Sequence, residues 1–247
     1  MRAQVRGLLT NGPLLTAVVV ITTLAFHAVY LLPPTRRLAQ WLMQEDLMVE
    51  DITFVALFAA GVLSLLLARR TRRDRQPALV TWFFVALGLG LFVVAMEEIS
   101  WGQWVFFFKT PGSWKAINRQ GETNLHNLDG LWGRSEWLRL VFALGGLFGV
   151  LANRWRTLRP IAVPPAMLGW FVFITLYVAV DAINDFARES WILSTFNSMS
   201  EWVEMLIGLS ALAYIFLKRD EFRASATSVG GTAKLRLAAE RTDHQTA

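Results

Sequence analysis

Glu97 and Glu98 stand side by side at the end of a long apolar run, with Gln103 just beyond. On a helix, neighbouring side chains diverge by about 100°, so the pair faces two directions, and Glu97, Trp101 and Trp104 share one of them. Two carboxylates at the end of an apolar span are costly unless partnered or wet. The negative end of the helix dipole does nothing to stabilise them. Downstream, Asn118, Gln120, Glu122, Asn124 and His126 alternate, followed by Asn127. In an extended strand they would line one face, as a hydrogen-bonding or metal-binding edge. Asp181, Asp185 and Glu189 recur at helical spacing, as do Asp46 and Glu50, and His27 is alone inside the first apolar run.

These residue types point to cation chemistry. Ligation by His126, Glu98, Asp181 and Asp185 would be rich in oxygen and suits Mg²⁺, Mn²⁺ or Ca²⁺; adding His27 would admit Zn²⁺ or iron. Glu97, Glu98, Glu122 and His126 are the candidates for catalysis, a carboxylate not bound to metal serving as general base. Asp46, Glu50, Gln103, Gln120, Asn124, Asn127 and His27 complete the polar set. No His-Glu-x-x-His or Ser-centred nucleophile motif accompanies them. Each also has a plainer explanation. Asp46 and Asp51 suit a helix N-terminus, and Ser198 with Glu201 reads as a capping box. The alternation at 118–126 fits an ordinary polar loop, and His27 fits an interhelical hydrogen bond.

The elements that must position these groups are membrane spans. Six apolar stretches can be read: Leu14–Leu32, Ile52–Ala68, Ala78–Met96, Leu140–Ala152, Ala162–Val180 and Val203–Leu217. Most approach the ~20 residues a helix needs to cross a bilayer core. The composition, 54% hydrophobic with 11 Trp, suits a polytopic all-α bundle. There is no cysteine, which excludes disulfides and thiolate metal sites. Arg2 and Arg6 ahead of the first stretch resemble a signal peptide, but the run is too long for one and no small-x-small site closes it. We expect a retained first helix. Gly145, Gly146 and Gly149 make the short fourth stretch a candidate for a central, lipid-shielded helix.

Arginine placement orients the bundle. Segments 1–13, 69–75, 153–160 and 218–247 carry about three basic residues per acidic one, whereas 33–51, 97–137 and 181–204 carry twice as many acids as bases. The positive-inside bias then puts both termini in the cytoplasm, His27 in the outer third of the first helix and the other candidate residues at or beyond the outer boundary. Residues 1–219 form the bundle, 97–137 an external re-entrant or interfacial loop. Residues 220–247 form a mobile cytoplasmic tail with a short helix near Lys234–Glu240. The charge of +5 and pI near 10.1 call for anionic lipid rather than nucleic acid, because the arginines sit in short loops beside apolar spans.

Glu97-Glu98-Ile99-Ser100-Trp101-Gly102-Gln103 and Gln120-Gly121-Glu122-Thr123-Asn124-Leu125-His126-Asn127-Leu128 together resemble a family of bacterial multi-pass membrane proteins of unknown function. Glu45-Asp46 with Glu50 resembles a further block of it. Trp104 stands where the family pattern has Arg, and Leu47 where it has Gly. The resemblance implies a location in the bacterial inner membrane and no particular chemistry. Three functions remain open. One is a metal-dependent enzyme acting on a lipid or lipid-linked substrate. Another is a non-catalytic partner or assembly protein using the Trp-rich loop, and the third is an ion-coupled carrier.

Overall fold

The computed structural model describes residues 2–42, 48–118, 121–125, 128, 135–186 and 199–243. Ten helices are described: α1 (Arg2–Thr10), α2 (Gly12–Leu31), α3 (Arg36–Leu42), α4 (Met48–Arg73), α5 (Ala78–Glu98), α6 (Gln103–Phe106), α7 (Gly112–Lys115), α8 (Ser135–Leu151), α9 (Leu168–Phe186) and α10 (Ser200–Asp243). Among the described residues there is no β-strand, only an isolated bridge between Asn118 and Leu128. The chain is an all-α polytopic bundle: among the described residues, six helices are long and apolar enough to span a membrane.

Local chemistry accounts for where several of these helices begin and end. Asn11 caps α2, its side chain accepting from the Leu14 N–H at 3.1 Å, with Pro13 in the first turn. Helix α4 opens on Glu50 and Asp51 and closes on Arg70, Arg72 and Arg73, each charge at the end of the dipole that favours it. Pro164 and Pro165 lead through a 3₁₀ turn into α9. Helix α10 runs without a break to Asp243 and takes in Lys234–Glu240, where a separate short helix was expected.

Packing is organised in two pairs, α4 with α5 and α8 with α9, which meet on α10, while α2 leans on α9. Helix α10 is the central one: 61% of its apolar window is buried, against 17% for α2. In lipid, helices are held together by close packing and interhelical hydrogen bonds rather than by exclusion of water. The α4–α5 contact shows both. Ser64 donates to the Phe84 carbonyl at 2.8 Å. Gly61 and Gly88 let the backbones touch, and a Cβ on Gly88 would lie 2.8 Å from Leu65.

The glycine-rich helix departs from expectation. Helix α8 is peripheral, with Val141, Leu144, Phe148 and Leu151 exposed. Its glycines seat neighbours on one side only: Gly146 receives the Phe171 ring and Gly149 receives Val163. The opposite side stays apolar and outward, as a lipid-facing helix requires.

Candidate functional site

The two adjacent carboxylates at the end of α5 enter different environments. Glu97 is buried and accepts two short hydrogen bonds of 2.5 Å, from the Trp101 indole N–H and from the Leu125 backbone N–H. The chain reverses between these partners. Ser100, Trp101 and Gly102 have φ of 46°, 58° and 78°, three successive left-handed residues of which only glycine adopts that conformation without cost. The turn returns the Trp101 indole to Glu97, one helical turn back in sequence. Glu97 therefore fastens the segment that follows onto the bundle.

That segment is closely knit. Ser100 donates to Glu122 at 2.5 Å, and the buried Asn124 amide donates to both Glu122 (2.9 Å) and Ser100 (3.0 Å). Asn118 donates to the Asn124 side chain (2.9 Å) and backbone (3.0 Å), and accepts from the Glu122 N–H at 3.0 Å. Gln103 accepts from the Thr123 N–H at 3.0 Å and from Thr110 at 3.1 Å. The alternating residues thus meet one another, but not as a strand. Gly121 turns the chain with φ of 70° and residues 121–123 are bent, so Asn118, Glu122 and Asn124 converge inward instead of lining an edge.

Glu98 points elsewhere. Its carboxylate meets those of Glu201 and Glu204 at the start of α10, with one oxygen from each within 4.8 Å of the others and all three half-buried. Glu50, from the first turn of α4, and Glu97 add to the negative potential at Glu98. Carboxylates this close repel one another, and a cation between them would relieve that repulsion. The geometry, three oxygen donors from two helices, is one that a hard divalent ion accepts.

An arginine adjoins this cluster. Arg139, near the start of α8 and buried, places its guanidinium 3.6 Å from Asp181 of α9 and 3.7 Å from Glu204. Glu204 therefore joins the carboxylate trio to the Arg139–Asp181 pair. One turn from Asp181, the Tyr177 hydroxyl lies 2.9 Å from Nε2 of His27. His27 Nδ1 lies 2.9 Å from the Thr23 carbonyl, which can only accept, so the proton of the neutral ring is on Nδ1 and Tyr177 donates to Nε2. Trp202 donates to the Thr23 hydroxyl at 2.9 Å and stacks on Phe26.

Among the sequence candidates, Glu98 lies in the carboxylate trio with Glu50 nearby. Asp181 is linked to it through Arg139 and Glu204. Glu97, Glu122, Asn124 and Gln103 form the fastening of the 100–125 segment. His27 is an interhelical hydrogen-bonding residue, both ring nitrogens engaged. Asp46, Gln120, His126 and Asn127 lie outside the described residues, as does the side chain of Asp185. Sequence reasoning overlooked Arg139 and Tyr177 and assigned Glu201 to a cap. An arginine inside an apolar span at the acidic end was the available signal, since buried charge there demands a counter-charge. Comparison with protein-family models, with curated proteins and with solved structures finds no match to this chain.

Proposed function

We propose that this multi-pass protein resides in the bacterial cytoplasmic membrane with its arginine-rich end inside. Its opposite end would then be a divalent-cation centre for chemistry on a lipid or lipid-linked substrate. One observation carries the reading: the convergence of Glu98, Glu201 and Glu204. Oxygen-only ligation favours Mg²⁺, Mn²⁺ or Ca²⁺ over zinc. A cation there would polarise a phosphoryl or carbonyl oxygen of the substrate. Arg139 holds Glu204 and Asp181 in place, and Glu50 is a further carboxylate whose charge acts on Glu98 from another helix. The sidedness rests on the positive-inside bias and the bacterial membrane on the family resemblance.

Thermal unfolding of the detergent-solubilised protein tests this. Mn²⁺, Mg²⁺ or Ca²⁺ raises the midpoint over that in EDTA, and Glu98→Gln removes the rise. An unchanged midpoint with all three ions at millimolar concentration rejects the cation centre.

A second reading, a non-catalytic partner protein, is favoured by a different feature. Val105, Phe106 and Phe107 are 65%, 74% and 87% exposed, and Phe107 is held outward with φ of 54°. Such a crest suits the core of a protein interface. Stoichiometric co-purification of a membrane protein, lost in Phe107→Ser and insensitive to EDTA, supports this alternative over the first.

A further inference from the structure

Beneath the Arg139 pair, the bundle contains a crevice of about 320 Å³ between α5 and α8. Phe83 and Leu87 form one wall, Phe142 and Gly145 the other, and Phe171 and Tyr214 the floor. Its lining is apolar apart from the Tyr214 hydroxyl, which already donates to the Ile161 carbonyl at 2.6 Å. At the arginine end Leu158 and Ile161 close it, where α5 meets the 3₁₀ turn Arg159–Ile161. Sideways it merges with the outward apolar surface of Leu144 and Phe148. At its other end, Arg139 stands one turn beyond Phe142 on the same helix face.

We propose that this crevice binds one acyl chain of a membrane phospholipid, with the head group at the level of Arg139, Asp181 and Glu204. The dimensions suit one chain. The lining runs from Phe142 to Ala152, just past the end of α8, roughly 15 Å at 1.5 Å per residue. An apolar slot of that length, open sideways to the lipid-facing surface, accommodates one hydrocarbon chain laid along the helix. Gly145 is what keeps the slot open: a Cβ there would meet nothing within 4 Å, whereas one on Gly146 would strike Phe171 at 2.1 Å. Each methylene buried contributes about 0.8 kcal/mol when its alternative is water, and far less when it is bulk lipid. Selection therefore comes from fit and from the head group. The placement of the head group rests on the cation-centre reading above; the seat for the chain does not.

The test uses the full-length protein in micelles with a phosphatidylethanolamine carrying a diazirine in its acyl chain. Photolabelling should saturate, map to peptides containing 142–149, and fall at least tenfold in Gly145→Leu. Gly90→Leu, an equally open glycine outside the lining, should label as the wild type does. Saturation by unlabelled phosphatidylethanolamine is read on the wild type, so the outcome survives a variant that folds poorly. Labelling that never saturates, spreads evenly over the spans, or is displaced better by a polyprenyl phosphate overturns the proposal. Divalent-cation stabilisation measured on Gly145→Leu separates the two readings. Its presence alongside lost labelling supports both, and saturable labelling with no cation effect leaves the chain site standing alone.

Discussion

Two neighbouring polar regions at one end of this bundle are built from the same residue types and treat them in opposite ways. In the 100–125 segment, Glu97 and Glu122 accept hydrogen bonds from the Trp101 indole, the Leu125 N–H, Ser100 and Asn124. Buried acceptors paired with donors make a rigid, specific structure. At the mouth of α10, Glu98, Glu201 and Glu204 instead face one another, and Arg139, beside Glu204, is shared with Asp181. Like charges gathered at the cost of stability are characteristic of sites that bind or react. The contrast separates carboxylates that hold a loop from carboxylates gathered against one another.

Substitutions can break this contrast. The largest effect is expected from Arg139→Leu, which strands Asp181 and Glu204 without their counter-ion. The loss is about 4 kcal/mol, read as a shift in reversible unfolding in mixed micelles. Much of it should return in the double variant with Asp181→Asn. No recovery would show that Arg139 acts through packing rather than charge. Next comes Glu97→Gln, which turns an amide toward donors and costs about 3 kcal/mol. Limited proteolysis should then cut between 100 and 125 while the spans stay intact; uniform cleavage would mean that Glu97 supports the whole bundle.

Smaller effects sharpen the comparison through their sign. Without divalent ions, Glu201→Gln should stabilise the protein by about 1 kcal/mol, because it relieves repulsion across the trio. The same variant should bind Mn²⁺ more weakly, as followed by the loss of the free-ion EPR signal. A destabilised variant would place Glu201 back in the role of a helix cap. Smallest is Tyr177→Phe, expected to cost about 0.6 kcal/mol, the usual value of an interhelical hydrogen bond in lipid. Its divalent-ion response should match that of the wild type, since neither Tyr177 nor His27 belongs to the trio. A weakened response would extend the site to α2.

Much of the arrangement was legible in the chain. The divergence of Glu97 and Glu98 follows from 100° per residue, and each does face its own neighbourhood. For Asn118, Glu122 and Asn124 the chain left a strand edge and a polar loop both open, and the structure shows a bent loop whose side chains interlock. Alternation alone does not distinguish an extended segment from one turned by glycine, and Gly121 decides it. Glu201 satisfied a capping pattern so well that its second neighbour, Glu98, could not be suspected. Glycines on α8 indicated close packing without showing on how many sides, which is why a peripheral helix was expected at the centre.

Six spans and the segregation of arginines from carboxylates were determined by the sequence alone. Transfer into lipid is a sum over local residues, and each stretch meets that cost by itself. Which acids meet was decided only by the tertiary structure. Glu98 and Glu201 are a hundred residues apart, and their encounter depends on how α5 and α10 rotate as they pack through α4, a choice made by side-chain shape along the buried faces.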